Sequence, residues 1–410
     1  MRILISNWSC RRAGGTETYL GRIMARLTAR GHEVCFCFEV SEPDGRPLIP
    51  VPPGVLSVQL RPDVTSALDT LRRWRPDVIY AHGFLEPQDE ARVLAIAPGV
   101  FAAHSYYGTC ISGEKTHKFP VVRPCSRQFG PACLALYFPR RCGGLSPITM
   151  LSAYDRQRRR LALLHRYVRV VTASAHMAGE FVRHGVAGAR VFTLPHYGAA
   201  DEDPVETTSA ARPVPGAAWR MTFVGRMDRL KGGDVLLDAL PRVRVESRRA
   251  VQLTFAGEGP ARESWERHGR TLTGPGSGIS IEFAGWLEKE ALMSRLAATD
   301  VVIMPSLWPE PFGLVGLEAN RRGVPVVAFA TGGIPEWLQD GVNGCLAPGD
   351  PPTADGLSDA LIRCLRGMES SDALSRGALA AAHSRREDEH LDALVDILGQ
   401  AARRSDGVSA

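Results

Sequence analysis

The run Pro305-Ser306-Leu307-Trp308-Pro309-Glu310-Pro311-Phe312-Gly313-Leu314-Val315-Gly316-Leu317-Glu318-Ala319 sets two carboxylates, Glu310 and Glu318, eight positions apart. Glu310 falls in a proline-flanked loop, and the spacing puts Glu318 about two turns into the following helix, on its inward side between Leu317 and Ala319. A carboxylate on an apolar helix face costs free energy unless it is paired or bound to something. Ionised carboxylates only accept hydrogen bonds, which suits the adjacent hydroxyls of a sugar or a ribose. The plainer alternative, a helix-capping Glu and a surface Glu, leaves that apolar face unexplained. A second constellation is Gly225-Arg226-Met227-Asp228-Arg229-Leu230-Lys231-Gly232-Gly233. Arg226, with its planar fork, and Lys231, a point charge, could clamp a diphosphate there, or the segment is simply a solvated basic loop. A third is Gly14-Gly15-Thr16-Glu17, opening a helix whose apolar face is Tyr19, Leu20, Ile23, Met24 and Leu27. Its glycines allow close backbone approach, and a helix N-terminus offers free N–H groups to an anion. A plain turn capped by Thr16 is the alternative, and the three-glycine dinucleotide fingerprint is absent.

Such loops need strands to hold them. β-branched and aliphatic runs occur at 3–7, 34–38, 78–80, 100–104, 168–173 and 191–194, then at 221–224, 252–256, 281–283, 301–304, 326–328 and 345–347, with helical-period stretches between. Near-continuous apolar strands alternating with helices predict parallel sheets covered on both faces, here two doubly wound α/β domains. Ligands of such sheets bind outside the carboxyl ends of the strands, which is where all three constellations fall. The composition shift at 198–218, rich in Gly, Ala, Pro, Asp, Glu, Ser and Thr, reads as a linker. The expected organisation is a first domain at 1–197, a second at 219–385, a C-terminal helix at 386–400 that packs back on the first domain, and a frayed tail at 401–410.

At 410 residues the chain has room for two domains with cores of their own. Its 44% hydrophobic and 23% charged content excludes disorder, collagen-like repeats and coiled coil. The apolar runs fall short of the roughly 18 residues of a membrane-spanning helix. Met1 to Asn7 reads as a strand and not as a signal peptide, so a cytoplasmic protein is expected. Nine cysteines without a regular framework are expected to stay thiols there.

Taken in order, these motifs resemble glycosyltransferase family 4, retaining enzymes of the GT-B fold. The carrying residues are Glu310 to Glu318, Gly225-Arg226 with Lys231-Gly232, Gly14-Gly15, and Ala330-Thr331-Gly332-Gly333-Ile334-Pro335, with Phe255-Ala256-Gly257-Glu258-Gly259-Pro260 and Phe283-Ala284-Gly285-Trp286 at further strand ends. The resemblance implies two Rossmann-like domains facing a central cleft, with a UDP- or GDP-sugar donor held mostly by the second. It implies Arg226 and Lys231 on the diphosphate, Glu318 on the ribose and Glu310 on the transferred sugar. Backbone N–H groups of Phe312, Gly313, Leu314 and Val315 would add contacts, and Gly14-Gly15 would close over the diphosphate from the other domain. His104, in Phe101-Ala102-Ala103-His104-Ser105, matches the family's active-site histidine near the donor sugar. His82, after the preceding strand, is a weaker match, and a structural role for it stands beside the catalytic one. Breaking a sugar–phosphate bond builds positive charge on the ring and negative charge on the departing diphosphate. Arg226, Lys231 and a helix terminus would stabilise that leaving group without a metal or other cofactor. The chain departs from the family at Pro195-His196-Tyr197-Gly198-Ala199, where Asn-Gly-Val-Asp is common.

The expected activity is transfer of a sugar to a hydroxyl acceptor, bound by the first domain, in bacterial surface polysaccharide or glycolipid assembly. The acceptor is a glycan, a lipid-linked sugar or a small molecule, and nucleic acid is not an expected partner. Rivals are a nucleotide-sugar epimerase or phosphorylase on the same architecture, or a non-catalytic nucleotide-sugar-binding scaffold. Between Lys115 and Arg169 stand Lys115, Lys118, Arg123, Arg127, Arg140, Arg141, Arg156, Arg158, Arg159, Arg160, Arg166 and Arg169 against a single acid, Asp155. This imbalance is either a membrane-facing surface for anionic headgroups or a solvated basic face. Cys110, Cys125, Cys133 and Cys142 lie in the same stretch without Cys-x-x-Cys knuckles. Buried thiols and a zinc site, with His117 as an extra ligand, are the two readings.

Overall fold

The computed structural model describes residues 1–12, 14–41, 47–197 and 216–403. The predicted linker, up to residue 215, and the predicted tail beyond 403 lie outside them. The chain forms two compact units. The first contains the described residues of Met1–Glu114, Arg127–Pro195 and Asp388–Ala410, and the second contains those of Lys115–Ser126 and His196–Glu387.

In the first unit the strands are β1 (Arg2–Ser9), β2 (Glu33–Val40), β3 (Leu56–Gln59), β4 (Val78–Ala81), β5 (Gly99–Ala103), β8 (Arg169–Thr172) and β9 (Val191–Thr193). They form one parallel sheet in the order β3-β2-β1-β4-β5-β8-β9. The central strands are apolar and buried along nearly their whole length, as a sheet covered on both faces requires. β3 escapes sequence reading because it is a short edge strand with Val58 alone buried. The helix Glu387–Arg403 belongs almost wholly to this unit. It buries Leu391, Leu394, Leu398 and Ala401, and its Asp388 and Asp392 pair with Arg30.

In the second unit β10 (Trp219–Val224), β11 (Val251–Ala256), β12 (Ile279–Gly285), β13 (Val301–Met304), β14 (Val326–Phe329) and β15 (Gly344–Ala347) form a parallel sheet in the order β12-β11-β10-β13-β14-β15. Its core combines Phe223, Phe255 and Trp265 with Leu236, Leu240 and Val243 of the helix Gly233–Ser247 and Leu361 of the helix Ala354–Ser370. The segment Lys115–Ser126, with its two-strand hairpin β6 (Thr116–His117) and β7 (Arg123–Pro124), packs with this unit, Val122 lying against the core and Arg123 beside Asp350 at 3.6 Å.

Each sheet reverses its winding direction once. In the first the chain winds outward from β1 through β2 to β3 and resumes at β4; in the second it winds from β10 to β12 and resumes at β13. At such a switch point the two adjacent loops diverge and leave a crevice. The loops concerned follow β1 and β4 in one unit and β10 and β13 in the other.

Candidate active site

The switch point of the second sheet joins two constellations far apart in sequence. Lys231 ends a short 3-10 turn after β10, and its Nζ lies 2.5 Å from Oε1 of Glu310, in the loop after β13. Gly232 makes this possible: it sits at φ 74°, and a Cβ there would collide with the Pro305 carbonyl oxygen. The Leu307 N–H donates to the Leu230 carbonyl at 2.8 Å, tying the two loops by backbone as well. The Ser306 hydroxyl donates to Glu310 Oε1 at 2.6 Å, and the Trp308 ring lies 5.4 Å from the Lys231 ammonium.

Glu310 is 6% exposed. Burial pushes its carboxyl upward, but the Lys231 charge and hydrogen bond, joined by Ser306, outweigh it and hold the group below its ordinary value. A third loop fixes its backbone. Gly333 N–H donates to the Glu310 carbonyl at 2.7 Å, and Thr331 Oγ1 donates to the Ser306 carbonyl at 3.3 Å. The Ala330–Pro335 motif thus holds the loop that carries Glu310.

The remaining residues of the second constellation lie nearby with different surroundings. Arg226 is exposed, and its guanidinium makes no hydrogen bond or ion pair with a described residue. Phe312 is buried, accepts from Trp337 Nε1 at 2.6 Å and packs against His196 at 5.7 Å between ring centroids. Gly313, Leu314 and Val315 are half-buried and open the helix Leu314–Asn320, whose first amides have no partner within the helix.

The predicted setting of Glu318 is corrected. The proline-rich loop runs on to Gly313, in left-handed backbone, so the helix begins at Leu314 and Glu318 is about one turn into it. Leu317 and Ala319 are buried, whereas Glu318 is half-buried and shares a face with the half-buried Leu314 and Val315. It therefore sits beside the opening amides and not within the core.

In the first unit Gly14 and Gly15 are exposed and begin the helix Gly15–Ala29. His82 and His104 follow β4 and β5, with His82 Nδ1 2.6 Å from His104 Nε2. One ring must donate and the other accept, so the contact holds only while the pair carries at most one charge. Burial pushes His104 down to about 4 from 6.5. The surrounding network was not anticipated: Tyr19 Oη lies 3.2 Å from Tyr80 Oη and 2.9 Å from His390 Nε2, and His390 Nδ1 lies 2.9 Å from the Pro195 carbonyl oxygen. Tyr19 and His390 are 371 positions apart, so no local signal announces them. Ser306 and Trp308 were equally unassigned, although Ser306 stands four positions before Glu310 in the motif itself.

Because the folded His104 titrates below its unfolded counterpart, the unfolded chain binds more protons between pH 6.5 and about 4. Stability falls as pH drops through that window. His104→Gln is expected to flatten this part of the stability–pH curve, measured by denaturant melts; an unchanged slope would show that His104 does not titrate as its burial requires.

The basic segment divides between the two units. Lys115, Arg160 and Arg169 are buried: Arg160 donates to the Phe84 and Leu85 carbonyls at 3.0 and 3.1 Å, and Arg169 donates to Gln400 at 2.9 Å. The four cysteines divide in the same way, Cys125 lying with the second unit and the others with the first. All nine cysteines are free thiols, and among the described residues no group of three or more His, Cys, Asp or Glu is placed to hold a metal.

Two doubly wound parallel sheets of this kind make up the GT-B architecture, and solved structures share it over nearly the whole chain. Anabaena HepE in complex with UDP and glucose matches with a TM-score of 0.64 at 19% identity, covering 98% of this chain and 99% of that one. WaaG, a glycosyltransferase involved in lipopolysaccharide biosynthesis, matches with a TM-score of 0.66 at 18% identity, covering 97% and 99%. The model described as Glycosyltransferase Family 4 matches residues 13–196, and that described as Glycosyl transferases group 1 matches residues 219–367. The chain belongs to glycosyltransferase family 4. Among similar proteins, the D-inositol 3-phosphate glycosyltransferase of Streptomyces scabiei is 32% identical over 229 residues, 53% of this chain and 50% of that protein. That of Saccharomonospora viridis is 37% identical over 199 residues, 47% and 45%. The match thus spans about half the length of these relatives.

Proposed function

We propose that this chain transfers a sugar, with retention and without a metal, from a UDP- or GDP-sugar to a hydroxyl acceptor. The observation that carries the reading is the pairing of Lys231, partly exposed, with the buried Glu310 at the switch point of the second sheet. Lys231 has Glu310 as its counter-charge; a diphosphate competes for the same ammonium and leaves Glu310 to accept from sugar hydroxyls. Arg226 adds a second cation to the diphosphate, the amides of Phe312 to Val315 add donors, and Glu318 takes the ribose hydroxyls. Gly14-Gly15 keeps a role as a diphosphate contact and His104 as a donor-sugar contact.

As the bond from the anomeric carbon to the phosphate oxygen breaks, the electron pair leaves on the diphosphate, where the cations and amides stabilise it. The acceptor oxygen attacks from the same face, the new glycosidic bond forms, and the acceptor proton passes to the departing phosphate oxygen. No separate protein base is assigned. The acceptor class is a glycan, a lipid-linked sugar or a small molecule; the inositol phosphate glycosyltransferases among the relatives favour a polyol hydroxyl. The setting is cytoplasmic, in assembly of bacterial surface polysaccharide or glycolipid.

The test is thermal stabilisation by UDP, GDP and ADP, followed by hydrolysis of the matching nucleotide-sugar with EDTA present. One nucleotide is expected to raise the melting temperature selectively, since a ligand at a hundred times its Kd adds about 2.7 kcal/mol to the folded state. Slow EDTA-resistant hydrolysis completes the expected result. No shift with any nucleotide would favour the scaffold reading, and EDTA-sensitive turnover would remove the metal-free step.

A further inference from the structure

The polar rings around His104 come from every part of the first unit. Tyr80 lies in β4, His82 follows it, Tyr19 stands in the second turn of the helix Gly15–Ala29, and His390 comes from the helix Glu387–Arg403; all four are buried. Apolar side chains would fill the same space without desolvating hydroxyls and imidazoles. The hydrogens of this network can be placed from one atom. The Pro195 carbonyl only accepts, so its 2.9 Å contact puts the hydrogen of His390 on Nδ1. In the neutral ring Nε2 is then an acceptor, and the Tyr19 hydroxyl donates to it at 2.9 Å. That uses the one hydrogen of Tyr19, so the Tyr80 hydroxyl donates to Tyr19 Oη at 3.2 Å. With its hydroxyl held on both sides, the Tyr19 ring meets His104 edge-on at 6.2 Å between centroids and lies 6.3 Å from His82.

Buried polar groups that satisfy one another specify a single arrangement, and here the arrangement ends on His104. We propose that Tyr19 and His390 are positioning residues for His104: His390, oriented by the Pro195 carbonyl, fixes the Tyr19 hydroxyl, and the Tyr19 ring fixes the imidazole of His104. Leu391, Leu394 and Leu398 already pack the C-terminal helix on this unit, so His390 is not needed to hold it there. Pro195 is the last residue of the first unit before the chain leaves it, and His390 comes just after the chain returns at Asp388. The returning helix thereby supplies part of the site that the first 200 residues alone would lack. That His104 meets the donor sugar rests on the transferase reading; that Tyr19 and His390 set its ring does not.

An Asn amide can stand in for the Nδ1 side of an imidazole and a Gln amide for the Nε2 side, which separates the two contacts of His390. His390→Asn keeps a donor for the Pro195 carbonyl and loses the partner of Tyr19; His390→Gln keeps an acceptor for the Tyr19 hydroxyl and loses the Pro195 bond. Each removes one buried hydrogen bond, so the two should melt at similar temperatures. In the full chain, His390→Asn and Tyr19→Phe are each expected to lower kcat for transfer at least about tenfold with little change in KM for the nucleotide-sugar. The two changes together should lose no more than either alone, because they break the same bond. His390→Gln should keep most of the transfer. The second readout is the imidazole signals of isotope-labelled histidine, assigned to His104 by their loss in His104→Gln. They should shift in His390→Asn and Tyr19→Phe and stay in place in His390→Gln. Should His390→Asn fail to fold, Tyr19→Phe, which removes a single hydroxyl, carries both readouts. Wild-type-like transfer in His390→Asn, equal losses in the Asn and Gln variants, or His104 signals unmoved by Tyr19→Phe would overturn the proposal. Signals that move as expected in a protein that transfers no sugar defeat the transferase reading alone, and transfer by the wild type with unmoved signals in the variants defeats the positioning alone.

Discussion

Lys231→Ala is expected to lower sugar transfer by at least about a hundredfold and to lower the melting temperature of the same protein. Both effects come from one contact, the 2.5 Å pair with Glu310. For transfer, the proposed mechanism has the variant lose a cation from the place where the leaving diphosphate gathers charge. For stability, it strands a carboxylate that is 6% exposed, with the Ser306 hydroxyl still donating to it. Removing one partner of a buried pair costs about 3–5 kcal/mol, and the 29% exposure of the Lys231 side chain favours the lower end. The pH dependence separates the two roles. Glu310 titrates below its unfolded value of 4.5 in the folded chain, so its contribution is complete above the unfolded value and is lost as pH falls through the folded one. Without Lys231 the desolvation of Glu310 is no longer outweighed, so the variant loses stability at a higher pH than the wild type. Adding Glu310→Gln removes the stranded charge. Lys231→Ala with Glu310→Gln should therefore melt closer to wild type than Lys231→Ala alone, yet remain inactive. Thermal melts over a pH series and turnover of the nucleotide-sugar check both halves. Wild-type-like turnover in Lys231→Ala would take the residue out of the site, and unchanged melting would show that the pair adds nothing to stability.

The sequence carried most of what lies at the strand ends and little of what lies between them. β1, β4, β5, β10 and β13 are readable because a strand covered on both faces must be apolar throughout, and the loops after them hold the glycines and charges of the motifs. Lys231 and Glu310 could each be singled out, but their pairing follows from the strand order, which places β13 beside β10. Glu318 was set on the wrong side because helical periodicity cannot tell where a helix starts inside a proline-rich run; Gly313 decides that, and one turn of difference moves the side chain to another setting. Charges were the least legible. Arg160 and Arg166 look alike in a basic stretch, yet Arg160 is buried against two carbonyls while Arg166 is exposed. The same limit hid Glu39 and Glu90, which hold the turn after β4: Glu39 accepts from the Leu85 and Glu86 amides at 2.5 and 3.1 Å, and Glu90 from the Phe84 amide at 3.0 Å and the Tyr167 hydroxyl at 2.6 Å. Counting charge along a chain cannot say which charges the backbone will consume.

Gly332→Ala tests whether transfer needs Glu310 merely present or held in place. Gly332 has φ 60°, and an added Cβ would run into the backbone nitrogen and carbonyl oxygen of Glu310. Backbone cannot rotate away as a flexible side chain would, so the loop carrying Glu310 must shift, and the neighbouring Gly333–Glu310 hydrogen bond of 2.7 Å shifts with it. A displacement of about 1 Å in a positioning group can cost about a hundredfold in rate. The expected result is a loss of that order in transfer with the Lys231 and Glu310 side chains both still present. Gly341→Ala is the matched control: its φ of 75° imposes similar backbone strain, about 1–2 kcal/mol, but an added Cβ meets nothing within 4 Å. Both variants should melt lower than wild type, and only Gly332→Ala should lose turnover beyond what its melting explains. Equal turnover in the two, measured well below either melting temperature, would mean that the loop tolerates displacement and that the charge of Glu310, not its position, carries the chemistry.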